Sequence, residues 1–416
     1  TSLYNIIDSI FIGHGVGPLA ISGLAITFPL MNLLVAFCTL VGVGGASISS
    51  IRLGQKDVKG AEDVLGNVAI LCVIIYGGIT LLFLDEVLYF FGASDETLPY
   101  ARDFMQVILL GSPITYVTIG LNNMMRATGY PKKAMFSAML TVGGNIILAP
   151  VCIFVLEWGI RGAAISTIIS QFAGMIWVLS HFVNKKSYIR FKRVSLRLRP
   201  RIIRNIFSIG MSPFIMNVCA CCIVIFINNR LLNYGGDLAI GAFGIVNRLV
   251  FIVVMIVMGL NQGMQPIAGY NFGAKLYDRV NKVLKLTIIY ATCVTTFGFL
   301  VGMLAPNLVV GIFTSDAELT ELSATGLRIT VMFFPIIGFQ MVTSNFFQSI
   351  GMAGKAIFLS LTRQMLILLP CLLILPHFFG VAGVWYSMPV SDLLASLIAL
   401  VMLVYQFRKF KTAAAH

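Results

Sequence analysis

Charge is what this chain has least of. Over 416 residues, Asp, Glu, Lys and Arg together make up 11%, and only 16 residues are acidic. A soluble chain of this length would fold as two or three domains, but 58% hydrophobic residues and a mean hydropathy of +0.93 exclude a soluble class. No HExxH pair, GxxxxGK[ST] loop or GxSxG elbow occurs, so nothing points to zinc protease, nucleotide hydrolase or serine hydrolase chemistry. His14, His181 and His377 stand in or beside links, and His416 belongs to a closing AAAH that reads as a tag remnant. All eight cysteines fall in apolar runs without metal-ligand spacing. Cys219, Cys221 and Cys222 sit too close on one helix to build a disulfide framework, so the cysteines read as small buried hydrophobes. No cleavable signal peptide is expected.

What remains is a series of long apolar runs. A helix needs about 20 residues to cross a hydrocarbon core of roughly 30 Å. Spans are expected at 1–13, 20–51, 64–91, 98–125, 132–156 and 160–183, then at 201–232, 236–262, 280–304, 320–350, 355–376 and 381–407. The net charge of +13 does not indicate nucleic acid, because the basic residues lie in short links. Most of the 29 Lys and Arg residues fall on alternate links, from Arg52, Lys56 and Lys59 through Lys185–Arg204 to Arg408, Lys409 and Lys411. The opposite links carry Asp85, Glu86, Asp95, Glu96, Glu157, Asp316, Glu318 and Glu321. The basic side is the cytoplasmic one, which places both termini in the cytoplasm.

The two halves repeat. NNMMRATGYPKKAMFSAML (122–140) aligns with SNFFQSIGMAGKAIFLSLT (344–362), and LGQKDVKGAEDVLGNVAIL (53–71) with FGAKLYDRVNKVLKLTIIY (272–290). WGIRGAAIS (158–166) matches FGVAGVWYS (379–387), and Pro113 matches Pro335. Matches in one order at nearly one separation imply a duplicated six-helix unit. The expected fold is an all-α membrane protein of twelve transmembrane helices, as two six-helix bundles related by a pseudo-two-fold along the membrane normal. Its parts are an N-lobe at 1–183, a basic cytoplasmic linker at 184–200, a C-lobe at 201–411 and the tag remnant at 412–416. Residues 201–219 have no counterpart in the first half, so the chain is expected to begin inside its first helix.

Of the 16 acids, only Asp8 and Asp392 lie well within spans. A carboxylate at the bilayer centre costs roughly 2.5–3.5 kcal/mol on insertion scales, so it usually faces a protein cavity and often exchanges a proton or binds a cation, the alternative for Asp8 being a hydrogen bond that cements two helices. Asp8 has Tyr4 one turn earlier on the same face, with Asn5 close by. Asp392 corresponds to Gln171 in the first repeat, and its alternatives are a transport role or pairing with a base such as Arg363, the deepest in-span cation. Asn145, Thr167, Gln171, Asn217 and Gln265 are further in-span polar positions, where interhelical hydrogen bonding competes with lining a cavity. Asp8 with Asp392 is also the one acidic pair an intramembrane enzyme could use, but the two fall in different halves. The expectation is therefore no enzyme and no cofactor. Without a nucleotide motif, uphill movement has to draw on an ion gradient.

Taken together, YNIIDSIFIG, LGQKD, RATGYPKKA and NIILAPVCIFVLEWGIRGAAISTIISQ resemble multidrug and toxic compound extrusion (MATE) transporters, over essentially the whole chain. The resemblance implies a V-shaped pair of bundles that alternates access, exporting small cationic drugs or dyes against H+ or Na+. It implies a coupling site of Asp8, Tyr4, Asn145 and Thr167, with Asp8 and Asn145 as metal ligands if the ion is Na+. It leaves Asn5, Gln171, Asn217, Gln265 and Asp392 for a substrate cavity or second polar site. Ala149, in NIILAP, stands where many relatives have an acid, so Asp8 is expected to act more alone. The seventh helix, GMSPFIMNVCACCIVIF, lacks the acid of NorM-like members, which favours a DinF-like or MepA-like assignment. The resulting expectation is a monomeric, multi-pass antiporter of the bacterial inner membrane. The rival is a flippase for lipid-linked saccharide or another amphiphilic lipid, disfavoured because in-span Arg and Lys are few and Asp8 has the wrong sign.

Overall fold

The computed structural model describes residues 18–75, 82–91, 93–192, 195–314 and 316–414. Asp8, Tyr4 and Asn5 lie outside the described residues. In chain order the helices are α1 (Pro18–Gly54), α2 (Val58–Ile74), α3 (Leu84–Phe90), α4 (Leu98–Ala127), α5 (Pro131–Val155) and α6 (Gly159–Val183). After the linker come α7 (Pro200–Gly236), α8 (Leu238–Gly273), α9 (Tyr277–Leu304), α10 (Pro306–Val310), α11 (Ala317–Thr330), α12 (Phe334–Ser349), α13 (Ala353–Phe379) and α14 (Val381–Ala414). Among the described residues there is no strand, and nine helices are long and apolar enough to cross a membrane. Helix is the form lipid demands, because it satisfies every backbone N–H and C=O within the segment.

One expected span is broken. The run at 320–350 bends by 57° between α11 and α12. Pro335 stands in the first turn of α12, where its missing N–H and its ring forbid a continuous helix through the preceding turn. Prolines also flank two π turns. Val151–Val155 follows Pro150 in α5, and Thr362–Leu368 precedes Pro370 in α13.

The backbone repeats as the sequence does. Lys56 and Lys275 share a left-handed conformation at φ 62° and 58°. Gly129 and Gly351 match at 92° and 78°, and Gly159 and Gly380 at 53° and 58°. Each pair occupies aligned positions of the two halves. For lysine this region is uncommon, so its recurrence reflects a turn geometry that duplication copied.

Contacts divide the chain into two compact units, Thr1–Gly210 and Met211–His416. In the first, α4 lies against α1 and α6, and α5 against α6, with Leu88, Met105, Leu109, Ala149 and Ala163 in its core. In the second, α12 packs on α9 and α14 around Leu284, Ala291, Phe346, Phe347 and Trp385.

Small residues set how near these helices come. A β-carbon at Gly44 would collide with the carbonyl oxygen of Ile206, and one at Gly210 with that of Leu40. The backbones of α1 and early α7 therefore touch, the packing membrane helices use when lipid offers no hydrophobic drive between them. Gly210→Val is expected to lower stability by upwards of about 2 kcal/mol through overpacking. Gly244→Ala, at a position with open space around it, should be neutral or slightly stabilising. Thermal midpoints of the purified variants in detergent check both.

Candidate functional site

The first unit gathers polar side chains where α4, α5 and α6 converge. Gly174 on α6 permits the approach, since a β-carbon there would run into Thr141 of α5. Helical spacing lines up Thr167 with Gln171 and Thr141 with Asn145, in each case four residues apart on one face. Asn145, Thr167 and Gln171 are all buried.

Their hydrogen bonds have a direction. The Thr167 hydroxyl donates to the Ala163 carbonyl at 3.0 Å, and the Ser166 hydroxyl donates to the same carbonyl at 2.8 Å. With their protons spent, both hydroxyls accept from the Asn145 amide, whose Nδ2 lies 3.0 Å from Thr167 Oγ1 and 3.4 Å from Ser166 Oγ. This orients the amide and leaves its Oδ1 as an acceptor. Asn145 Oδ1 and Gln171 Oε1 are both buried, with no hydrogen-bond partner among the described residues. A buried polar atom without a partner costs about 1–3 kcal/mol. Each amide oxygen is an acceptor that no donor among the described residues fills.

Ala149, one turn beyond Asn145, is fully buried in the apolar cluster with Ile153, Ile160 and Ala163. Packing, not charge, occupies that spot.

In the second unit Arg363 Nε meets Asp392 Oδ1 at 2.8 Å. Ser391 donates to the Arg363 carbonyl at 2.7 Å, tying α14 to the π turn of α13. Of the two roles weighed for Asp392, pairing with Arg363 is the one the geometry displays. Beside the pair is a cavity of about 20 Å³ bordered by Gln340, Ser344, Asn345, Ser360 and Gln364, room for about one water molecule. Asn217 is spent locally, donating to the Pro213 carbonyl of its own helix at 2.7 Å. Gln265 is half-buried on α8. The structure thus unites Asn145 with Thr167, and Asp392 with Arg363.

Two features escaped sequence reasoning. Asn261 on α8 is 3% exposed, and neither atom of its amide has a partner among the described residues. Its neighbourhood, GLNQGMQ, holds two glutamines that drew attention instead. Glu62 and Asp63 are buried and salt-bridged to the linker.

Comparison with known proteins agrees in one direction. The family model MatE matches residues 1–151 and 213–373. The chain is 29% identical over 413 residues to multidrug export protein MepA of Staphylococcus haemolyticus, covering 98% of this chain and 90% of that protein. It is similar to the MATE multidrug transporter DinF-BH, solved with a bound dye, at a TM-score of 0.90 and 36% identity, over 98% of this chain and 92% of that one. A crystal structure of MATE in the bent conformation gives a TM-score of 0.94 at 23% identity, over 100% and 93%, and speaks to the fold alone.

The ion pair yields a prediction. Asp392→Asn strands the Arg363 charge and should cost about 3–5 kcal/mol, whereas Arg363→Met with Asp392→Leu together should recover most of that. Denaturation of the three proteins in the same detergent measures the difference.

Proposed function

The chain belongs to the MatE family, and from that premise we propose that it is a secondary active multidrug exporter, exchanging cationic amphiphilic compounds for H+ or Na+ by alternating access. The observation that carries this reading is the pair of unsatisfied amide oxygens, Asn145 Oδ1 and Gln171 Oε1, buried within one apolar bundle. A transporter of cations needs oxygen without protons at such a place. The names of its relatives point the same way: MepA is a multidrug export protein, and DinF-BH is a multidrug transporter solved with a dye.

In this reading Asp8 is the exchanging group, with Tyr4 beside it and Asn145 and Thr167 completing the coupling site. Ionised, its carboxylate attracts an organic cation or the coupling ion; protonated, it becomes a donor that an amide oxygen can accept. Asn5 and Gln171 extend the polar surface toward substrate. With Na+ as the ion, the Asp8 carboxylate and Asn145 Oδ1 are the oxygen ligands a hard cation prefers. Ala149 supports a single-carboxylate mechanism, because its apolar setting offers no second charge. Asp392 is neutralised by Arg363, so it acts first as part of the second unit's scaffold, with Asn217 and Gln265 available to a cavity there.

Exchange requires that cargo and ion bind the two facing states with different affinity; competition for one carboxyl is the least that supplies it. The protein works as a monomer in the bacterial inner membrane, with both termini in the cytoplasm, and neither an enzyme activity nor a cofactor enters the cycle.

Asp8→Asn should abolish drug resistance in a pump-deficient host while the protein still reaches the membrane; full resistance would remove Asp8 from the mechanism. Ethidium efflux by the unaltered protein should fall when the proton or the sodium gradient is collapsed. Efflux stopped only by ATP depletion, with both gradients intact, would refute exchange.

A further inference from the structure

The linker between α6 and α7 is folded, and its two faces use the same charge for different ends. On the inner face, Lys192 Nζ meets Glu62 at 2.5 Å and Arg199 meets Asp63 at 2.6 Å, with both carboxylate side chains 4% exposed. Asn67, fully buried, clasps the linker backbone from both sides: its Nδ2 donates to the Arg197 carbonyl at 3.1 Å, and the Arg199 N–H donates to its Oδ1 at 2.9 Å. Gly66 leaves room for the Ser195 carbonyl, which a β-carbon would strike. Ile189 is buried, and the Phe191 ring stands edge-on to Phe182 with centroids 5.9 Å apart. Glu62, Asp63, Gly66 and Asn67 of α2 thus hold the segment down.

The outer face is left with cations. Lys185, Lys186, Arg190, Arg197, Arg201 and Arg204 are exposed, and among the described residues none of them pairs with an acid. Interleaved with them are Tyr188, Leu196 and Leu198, at 57%, 47% and 46% exposure. Both ends of the segment run directly into candidate membrane spans, at Val183 and Pro200.

We propose that this strap is an anionic-lipid binding surface, its free lysines and arginines on the phosphodiesters of acidic phospholipids and its exposed Tyr and Leu side chains in the interface. Basic residues beside a membrane span are attracted to anionic headgroups, and apolar side chains alternating with them suit a segment lying in the interfacial plane. Because Glu62 and Asp63 have already ordered the backbone, lipid binds without the entropy cost of folding the segment. Through those same ion pairs, lipid held by the strap bears on α2, and the inference stands whether or not the antiport reading does.

The test titrates the detergent-solubilised full chain with phosphatidylglycerol, phosphatidylcholine or soluble glycerol phosphate and follows its thermal midpoint. Phosphatidylglycerol should raise the midpoint and the other two should not. The variant K186Q/R190Q/R197Q/R201Q should need at least roughly tenfold more phosphatidylglycerol for the same rise. High salt should weaken the response of the unaltered chain in the same sense, a readout that holds even where the variant folds poorly. A response to phosphatidylcholine or glycerol phosphate equal to that for phosphatidylglycerol would overturn the proposal. So would a folded variant that responds like the unaltered chain, or a salt-independent response.

Discussion

A side-chain amide inside a bilayer has to find its partners within the protein, because lipid supplies none. Asn145 finds partners for its N–H group in the hydroxyls of Ser166 and Thr167, and those hydroxyls are themselves committed to the carbonyl of Ala163. The direction of that chain of bonds leaves oxygen, not hydrogen, as the end of the amide without a partner among the described residues. Reverse the amide and the site would present donors, which suit an anion. This short local network on α5 and α6 is held at close range by Gly174 and Gly144.

The two units answer the same requirement in different ways. In the first, the aligned positions on α5 and α6 are Thr141 and Gln171, both neutral. In the second they are Arg363 on α13 and Asp392 on α14, an ion pair. Charge balanced on the spot stabilises a packing arrangement, while neutral amides left half-satisfied keep an acceptor available. The scaffold is shared down to the left-handed turns at Lys56 and Lys275, while these interior positions differ in charge.

Much of this was legible from residues alone. Hydropathy located nine of the expected spans among the described residues, and the aligned turns revealed the duplication, because both depend on local composition. Pairing of Arg363 with Asp392 was one of two readings, since a deep cation demands a counter-charge. Three things were not legible. The break between α11 and α12 depends on how the chain reroutes around Pro335, and a hydropathy run does not record a bend. The burial of Glu62 and Asp63 depends on the linker folding back over α2, a contact between residues well over a hundred positions apart. Asn261 looked like one more polar residue in an apolar helix, and only its surroundings distinguish it.

The proposed exchange turns on one carboxyl, that of Asp8, being shared between cargo and coupling ion. Difference infrared spectroscopy on the reconstituted protein observes this directly. Adding a permanently cationic dye should erase a protonated carboxyl band and release a proton, and the Asp8→Asn protein should show neither change; with Na+ as the ion, the dye should instead shift a Na+-sensitive carboxylate band that Asp8→Asn lacks. Dye binding that leaves the carboxyl and carboxylate bands of the unaltered protein unmoved would contradict the account.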